Sequence, residues 1–305
     1  MNAFPKNVKI VEVGPRDGLQ NEKIILDAKV RAELINLLSQ AGLKHIEAGS
    51  FVNPKWVPQM AETDEVLRHL HRQADITLSV LTPNLQGYQQ AVTAGASEVA
   101  VFAAASESFS KKNINCSINE SMTRFLPVME AAKADNIPVR GYLSCIAGCP
   151  YGENVNPDKV AELALLLFEM GCYEISLADT IGTGSPDAIF KVIQAVKQRV
   201  DVHCLAVHCH DTYGNALSNI RVALDLGVAV IDSSVSGLGG CPFAPGAAGN
   251  VATEDVVSML DEMKITHGIH PDKLRSASDF INRQLGRSGP SRIPEPNPVK
   301  EGADL

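Results

Sequence analysis

The stretch "MGCYEISLAD", Met170–Asp179, holds the pattern that organises the whole chain. A glycine follows a helical run and an apolar strand starts at once, which is how a helix stops and a parallel strand begins. The same junction recurs in "AGLKHIE" (41–47), "AGASEVA" (94–100) and "LGVAVID" (226–232). Working outward from it, strand-like runs appear at 8–14, 45–51, 77–83, 98–105, 139–146, 173–179, 205–211 and 230–237. Helical patterns lie between most of them, among them 27–42, 121–136, 156–171 and 185–200. Eight strands alternating with helices predict an α/β fold, a (β/α)8 TIM barrel. An open doubly wound sheet is the alternative, but "GPRDGLQ" after the first strand is not the glycine fingerprint of that fold. Residues 253–263 and 272–286 read as a closing helix and an additional C-terminal helix. The expected division is therefore one catalytic domain over 1–286 and a flexible, proline-rich tail over 287–305.

The chain has 305 residues, 45% of them hydrophobic, with a formal net charge of −8. An acidic balance argues against nucleic-acid and anionic-membrane partners, and an anionic substrate would need locally placed cations. Seven cysteines occur without a CxxC, so neither a disulfide framework nor a four-cysteine zinc site is expected. The N-terminus enters a strand pattern almost immediately and no apolar run could span a bilayer, so the expected location is the cytoplasm.

In a barrel of this kind, active-site residues sit at the C-terminal ends of the strands. "LAVHCHDTYGNA" places His208 and His210 two apart in a strand, hence on one face, where both imidazoles reach one point. They could bind one metal ion or simply hydrogen-bond in a polar crevice. Strand one ends in "GPRDGLQNE", giving Arg16, Asp17, Gln20 and Asn21. Asp17 is the natural third ligand, although a salt bridge to Arg16 or an Asx-turn would also explain it. Asn250 could add an amide oxygen or cap the helix that begins at "TEDVV".

Glu47 and Asp179 are carboxylates in apolar strands, either structural or orienting a catalytic group; Thr180 follows Asp179. Cys241 stands in a loop with five glycines between Ser236 and Asn250, where a chemical role competes with simple packing. Lys111 and Lys112 are ordinary surface residues or a contact for a phosphate-bearing substrate.

At "VEVGPRDGLQNE", "SFVNPKWVPQM", "VLTPN", "KKNINCS", "GCPYG", "CYEISLADTIG", "VHCHDTYGNAL", "GLGGCPFAPGAAGN" and "ATED" the chain closely resembles the 3-hydroxy-3-methylglutaryl-CoA lyase family. That family belongs to the metal-dependent lyase and Claisen-condensation barrel superfamily. The resemblance covers nearly everything except the tail. It implies retro-Claisen cleavage of 3-hydroxy-3-methylglutaryl-CoA to acetoacetate and acetyl-CoA, as in leucine degradation and ketone-body metabolism. It further implies a divalent metal, Mg2+ or Mn2+, on Asp17, His208, His210 and Asn250, whereas two nitrogen donors by themselves suit manganese, zinc or iron better than magnesium. By the same resemblance Arg16 stabilises an enolate, Glu47, Asp179 and His208 support proton transfer, and Cys241 is a proton donor. Gln20, Lys111, Lys112 and Thr180 are the expected substrate contacts, and a homodimer is the expected assembly. Condensing relatives such as isopropylmalate or homocitrate synthases usually carry a C-terminal regulatory region for which no residues remain. A metal-binding pseudoenzyme need not keep Arg16, Glu47 and Cys241 together.

Overall fold

The computed structural model describes residues 4–240 and 249–287. Eight parallel strands close on themselves in chain order: β1 (Lys9–Glu12), β2 (His45–Ser50), β3 (Thr77–Leu81), β4 (Glu98–Ala104), β5 (Val139–Ser144), β6 (Glu174–Asp179), β7 (Leu205–Cys209) and β8 (Val230–Ser233). The closing pair runs Lys9 to Val230 through Glu12 to Ser233. The barrel expectation is met, with each strand inside a run read from the sequence.

Ten helices surround the strands among the described residues: α1 (Ala28–Gln40), α2 (Thr63–His69), α3 (Leu85–Thr93), α4 (Glu107–Ile114), α5 (Ile118–Asp135), α6 (Pro157–Met170), α7 (Pro186–Lys197), α8 (Ala216–Asp225), α9 (Thr253–Glu262) and α10 (Pro271–Gln284). The stop at Gly171 takes φ 114°, a left-handed backbone that only glycine adopts without strain. At the start of α5, Ser117 and Glu120 form a reciprocal capping box, which turns the chain out of the segment that follows α4. The additional helix α10 packs on α1 and so fills the side of the barrel where the first and last units meet.

The main core lies between strands and helices, with residues such as Leu34, Ile35, Ile46, Val80, Ile175 and Ile231 buried there. Truncating Leu34 to alanine would cost about 2–5 kcal/mol, as expected for a buried leucine. Inside the barrel, two small apolar groups, Val11, Val13, Ala206 and Val230, and Leu81, Ala100 and Tyr142, are separate from that core. Between them runs a line of charged side chains, described below. No helix among the described residues is long and apolar enough to cross a membrane. The tail beyond 287 lies outside the described residues, as does Cys241.

Candidate active site

Immediately after β1 the chain makes a tight turn, Gly14–Gly18, in which the amides of Arg16, Asp17 and Gly18 all donate to the Val13 carbonyl. Glu12, fully buried, braces this turn. Its carboxylate accepts from the amides of Gly14 and Val235, both at 2.8 Å, and from the Thr253 hydroxyl at 2.7 Å. Burial pushes its carboxyl up to about 7, against the lowering effect of these donors. The turn thereby sits in a fixed relation to β8 and α9.

That geometry delivers Asp17 to the barrel mouth beside His208, the fourth residue of β7, and His210, just past its end. Ligand atoms of these three residues lie within 4.8 Å of one another, and the imidazole centroids are 5.3 Å apart. The Nε2 of His208 faces Asp17 Oδ2 at 3.9 Å. Burial opposes ionisation of Asp17, but Arg16 and the histidines outweigh it and hold the carboxyl at about 2. His210 is also lowered, to about 4, by burial and by His208, which leaves its imidazole neutral. Its Nδ1 is buried with no hydrogen-bond partner among the described residues. An ionised carboxylate, a neutral imidazole and an orphaned ring nitrogen are what a divalent cation would satisfy, so the donor set fits a metal.

Asn250 reaches the same point because residues past the glycine-rich loop return to the sheet. The amides of Asp211 and Val251 donate to the carbonyls of Gly249 and Cys209, and His210 bridges Asn250. In this structure Asn250 Nδ2 donates to Asp17 Oδ2 at 2.8 Å. Offering the amide oxygen to an ion takes a half-turn of that amide. Asn250 does not cap α9, whose preceding residue is Ala252.

Arg16 is buried between two carboxylates, with Nη1 2.6 Å from Asp17 Oδ1 and Nε 2.7 Å from Glu47 Oε2. The second contact is an ion pair, off line for a hydrogen bond. The Tyr142 ring lies 5.4 Å from the guanidinium carbon and meets His208 edge-on. Glu47 sits inside β2, not at its end, next to a shift in register between Glu47 and Gly49. Burial pushes its carboxyl up, and Arg16 pulls it back only in part.

These groups open on a cavity of about 750 Å³. Arg16, Asp17, Gln20, Asn21, Thr180, His208 and His210 line it, with Arg124 of α5 and the exposed Trp56 among its walls. Of the residues expected from the sequence, Glu47 and Asp179 stand behind the lining. Asp179 Oδ2 accepts from the Gly184 amide at 3.0 Å, while Oδ1 is buried without a partner among the described residues. Burial raises its carboxyl to about 6. Thr180 accepts from the Cys145 amide at 2.8 Å. Lys111 and Lys112 are exposed in the last turn of α4 and do not line the cavity, whereas Asn113 and Ile114 of that helix do.

Sequence reasoning missed Arg124, and it missed a buried charge line within the barrel. Arg140 donates to Asp232 at 2.7 and 3.1 Å and to Glu174 at 2.7 Å, and Lys9 donates to Glu174 at 2.7 Å. The signal was present as single charges inside apolar strands, since a buried charge must find a partner.

A (β/α)8 barrel with a candidate histidine–histidine–carboxylate metal site at its C-terminal mouth is the arrangement expected of a barrel enzyme. The HMGL-like family model matches residues 7–281, and the chain belongs to the HMGL-like family. It is 57% identical over 293 residues to the mitochondrial hydroxymethylglutaryl-CoA lyase of Rattus norvegicus, covering 96% of this chain and 90% of that one. The hydroxymethylglutaryl-CoA lyase structure from Pseudomonas aeruginosa superposes with a TM-score of 0.93 at 52% identity, covering 95% and 96% of the two chains. An HMG-CoA lyase from Acinetobacter baumannii, solved in complex with coenzyme A and 3-methylmalate, gives 0.91 at 33% identity over 100% of both.

Proposed function

We propose that this chain is a divalent-metal-dependent carbon–carbon lyase that cleaves 3-hydroxy-3-methylglutaryl-CoA to acetoacetate and acetyl-CoA. The observation that carries the reading is the convergence of Asp17, His208 and His210 within 4.8 Å beside the buried Arg16 at the barrel mouth, on the inner wall of the cavity. Close relatives bearing that enzyme's name support it over nearly the whole chain.

Asp17, His208, His210 and a rotated Asn250 would hold Mg2+ or Mn2+. Such an ion, when bound, supplies Lewis acidity that lowers the pKa of the substrate's tertiary hydroxyl. The hydroxyl proton passes to a base of the site. Asp179, raised by burial to about 6, has the proton affinity for this task; because it stands behind the lining, the proton would pass to its Oδ1, which has no partner among the described residues, through a group between it and the cavity. As the proton leaves, the C–C bond breaks, a ketone forms and the electron pair moves into the thioester. Negative charge then develops on the thioester oxygen, where Arg16, held by Glu47, stabilises it. Cys241, outside the described residues, is the proposed donor of the proton that completes acetyl-CoA.

A cytoplasmic homodimer is the proposed setting. The cysteine pattern of the sequence supports a reducing compartment. Helices α6 and α7, packed side by side, expose Leu166, Phe168 and Phe190, which supports self-association. The deciding experiment is a coupled assay for acetyl-CoA formed from 3-hydroxy-3-methylglutaryl-CoA, with and without added Mg2+ or Mn2+. No acetyl-CoA under either condition overturns the reading.

A further inference from the structure

We propose that Asp232 is a positioning residue for the site: it fixes His208 as the Nδ1–H tautomer, so that the Nε2 lone pair faces Asp17 and the ion between them. The inference rests on the metal-site reading and extends it inward to a residue that no part of the cavity exposes.

Asp232 lies in β8, paired in register with His208 of β7. Its Oδ2 is 3.3 Å from His208 Nδ1. The same oxygen accepts from Arg140 Nη1 at 3.1 Å and from the Ser176 hydroxyl at 2.7 Å, and Oδ1 accepts from Arg140 Nη2 at 2.7 Å. A carboxylate gripped on both oxygens by a guanidinium is ionised and can only accept. The ring nitrogen facing it must therefore donate, which leaves Nε2 as the unprotonated nitrogen of the neutral imidazole. That nitrogen is the one directed at Asp17.

The two imidazoles are thus unlike. His210 Nδ1 has no partner among the described residues, whereas His208 Nδ1 rests on a carboxylate that is itself anchored. The anchor continues down the barrel. Arg140 Nε donates to Glu174 Oε1, and Glu174 Oε2 takes Lys9. Opposite charges alternate from Lys9 near the barrel floor up to Asp232, which holds the His208 ring at the mouth, so rotation of that ring would break a fully paired network. Carboxylate partners of this kind orient metal-binding imidazoles and raise their basicity, and losing one typically weakens metal affinity about 10–100-fold.

The test combines two readouts on intact protein. Nitrogen-15 NMR of metal-free protein in alkaline buffer, with the His208 signal assigned by its loss in His208→Gln, should show hydrogen on Nδ1 and none on Nε2. Asp232→Asn should shift the ring toward the Nε2–H form and weaken Mn2+ binding, titrated by electron paramagnetic resonance, about 10–100-fold. Ser176→Ala, which removes a donor from the same oxygen, should preserve the tautomer. An Nε2–H ring in the wild type overturns the proposal even if Asp232→Asn fails to fold. So does an Asp232→Asn protein with the wild-type tautomer and affinity, which would leave Asp232 as a counter-charge for Arg140. Failure of the wild type to bind Mn2+ would count against the metal reading instead, and the tautomer comparison would still decide the role of Asp232.

Discussion

Nε of Arg16 lies 2.7 Å from Oε2 of Glu47, a carboxylate that solvent does not reach. The guanidinium is thereby fixed before any substrate arrives, with its charge partly balanced from behind and its other edge on Asp17. A preorganised donor of this kind acts on charge that develops only as the bond breaks, so its removal shows in kcat. Arg16→Gln should lower kcat by about 10²–10³-fold, the usual effect of losing one such donor. Arg16→Lys, which keeps charge but not the planar fork, should be impaired less. Steady-state kinetics with bound metal measured alongside checks this, and a raised KM at unchanged kcat would make Arg16 a binding residue.

Asp17, His208 and His210 set the second prediction. Exhaustive chelation should abolish turnover, and Mg2+ or Mn2+ should restore it. Calorimetric titration of Asp17→Asn and His210→Ala should show weakened ion binding in each, with far-ultraviolet circular dichroism unchanged. Wild-type turnover in protein shown by elemental analysis to be metal-free would remove the ion from the mechanism.

Asp179 gives a prediction in which activity and stability move in opposite directions. As a base it must be ionised, so kcat/KM should rise with pH through about 6, the value to which burial brings its carboxyl. Because the folded protein binds this proton more tightly than the unfolded chain, its contribution to stability is full below the ordinary carboxylate value and is lost as pH rises through about 6. The shift from 3.8 to about 6 corresponds to a few kcal/mol, on the order of 1.4 per unit. Asp179→Asn should therefore lose most of its turnover and the acid limb of the profile, yet melt higher than wild type at pH 8. Retention of the same acid limb in that variant would assign the titration to another group.

The barrel was legible because its signal is repeated. Each strand run is bounded by turn residues, and a glycine stop such as Gly171 marks the junction where it matters. The metal candidates were legible for the same reason, since strand ends are the one place where side chains from distant segments must meet. What lay out of reach depends on geometry across the barrel. Nothing local to "VRGYLSCI" or "VIDSSVSG" says that Arg140 will meet Asp232, 92 residues later. Glu47 was legible as a carboxylate in an apolar strand, but not its place within β2, behind Arg16 and beside a register shift. Helix α4 escaped notice because it is only about two turns of mostly polar residues, and its orientation decides that Asn113, not Lys111 or Lys112, reaches the cavity.

That orientation leads to the last prediction. The proposed substrate carries the phosphates of coenzyme A, and a chain of net charge −8 needs a local cation to receive them. Arg16 is engaged by Glu47 and Asp17, deep in the cavity. Arg124 lines the outer wall, its Nη1 held by the Ile114 carbonyl at 3.2 Å, which leaves the rest of its fork for a phosphate. A hydrogen bond to a charged group contributes about 1.5–3 kcal/mol, roughly tenfold or more in affinity. Arg124→Ala should therefore raise KM for the coenzyme A thioester about tenfold at unchanged kcat, whereas the Lys111→Ala/Lys112→Ala double variant should change it little. The pantetheine thioester of the same acid, which lacks those phosphates, should be turned over with the same KM by wild type and Arg124→Ala. An equal loss with both thioesters would mean that Arg124 shapes the wall through Ile114 and does not contact phosphate.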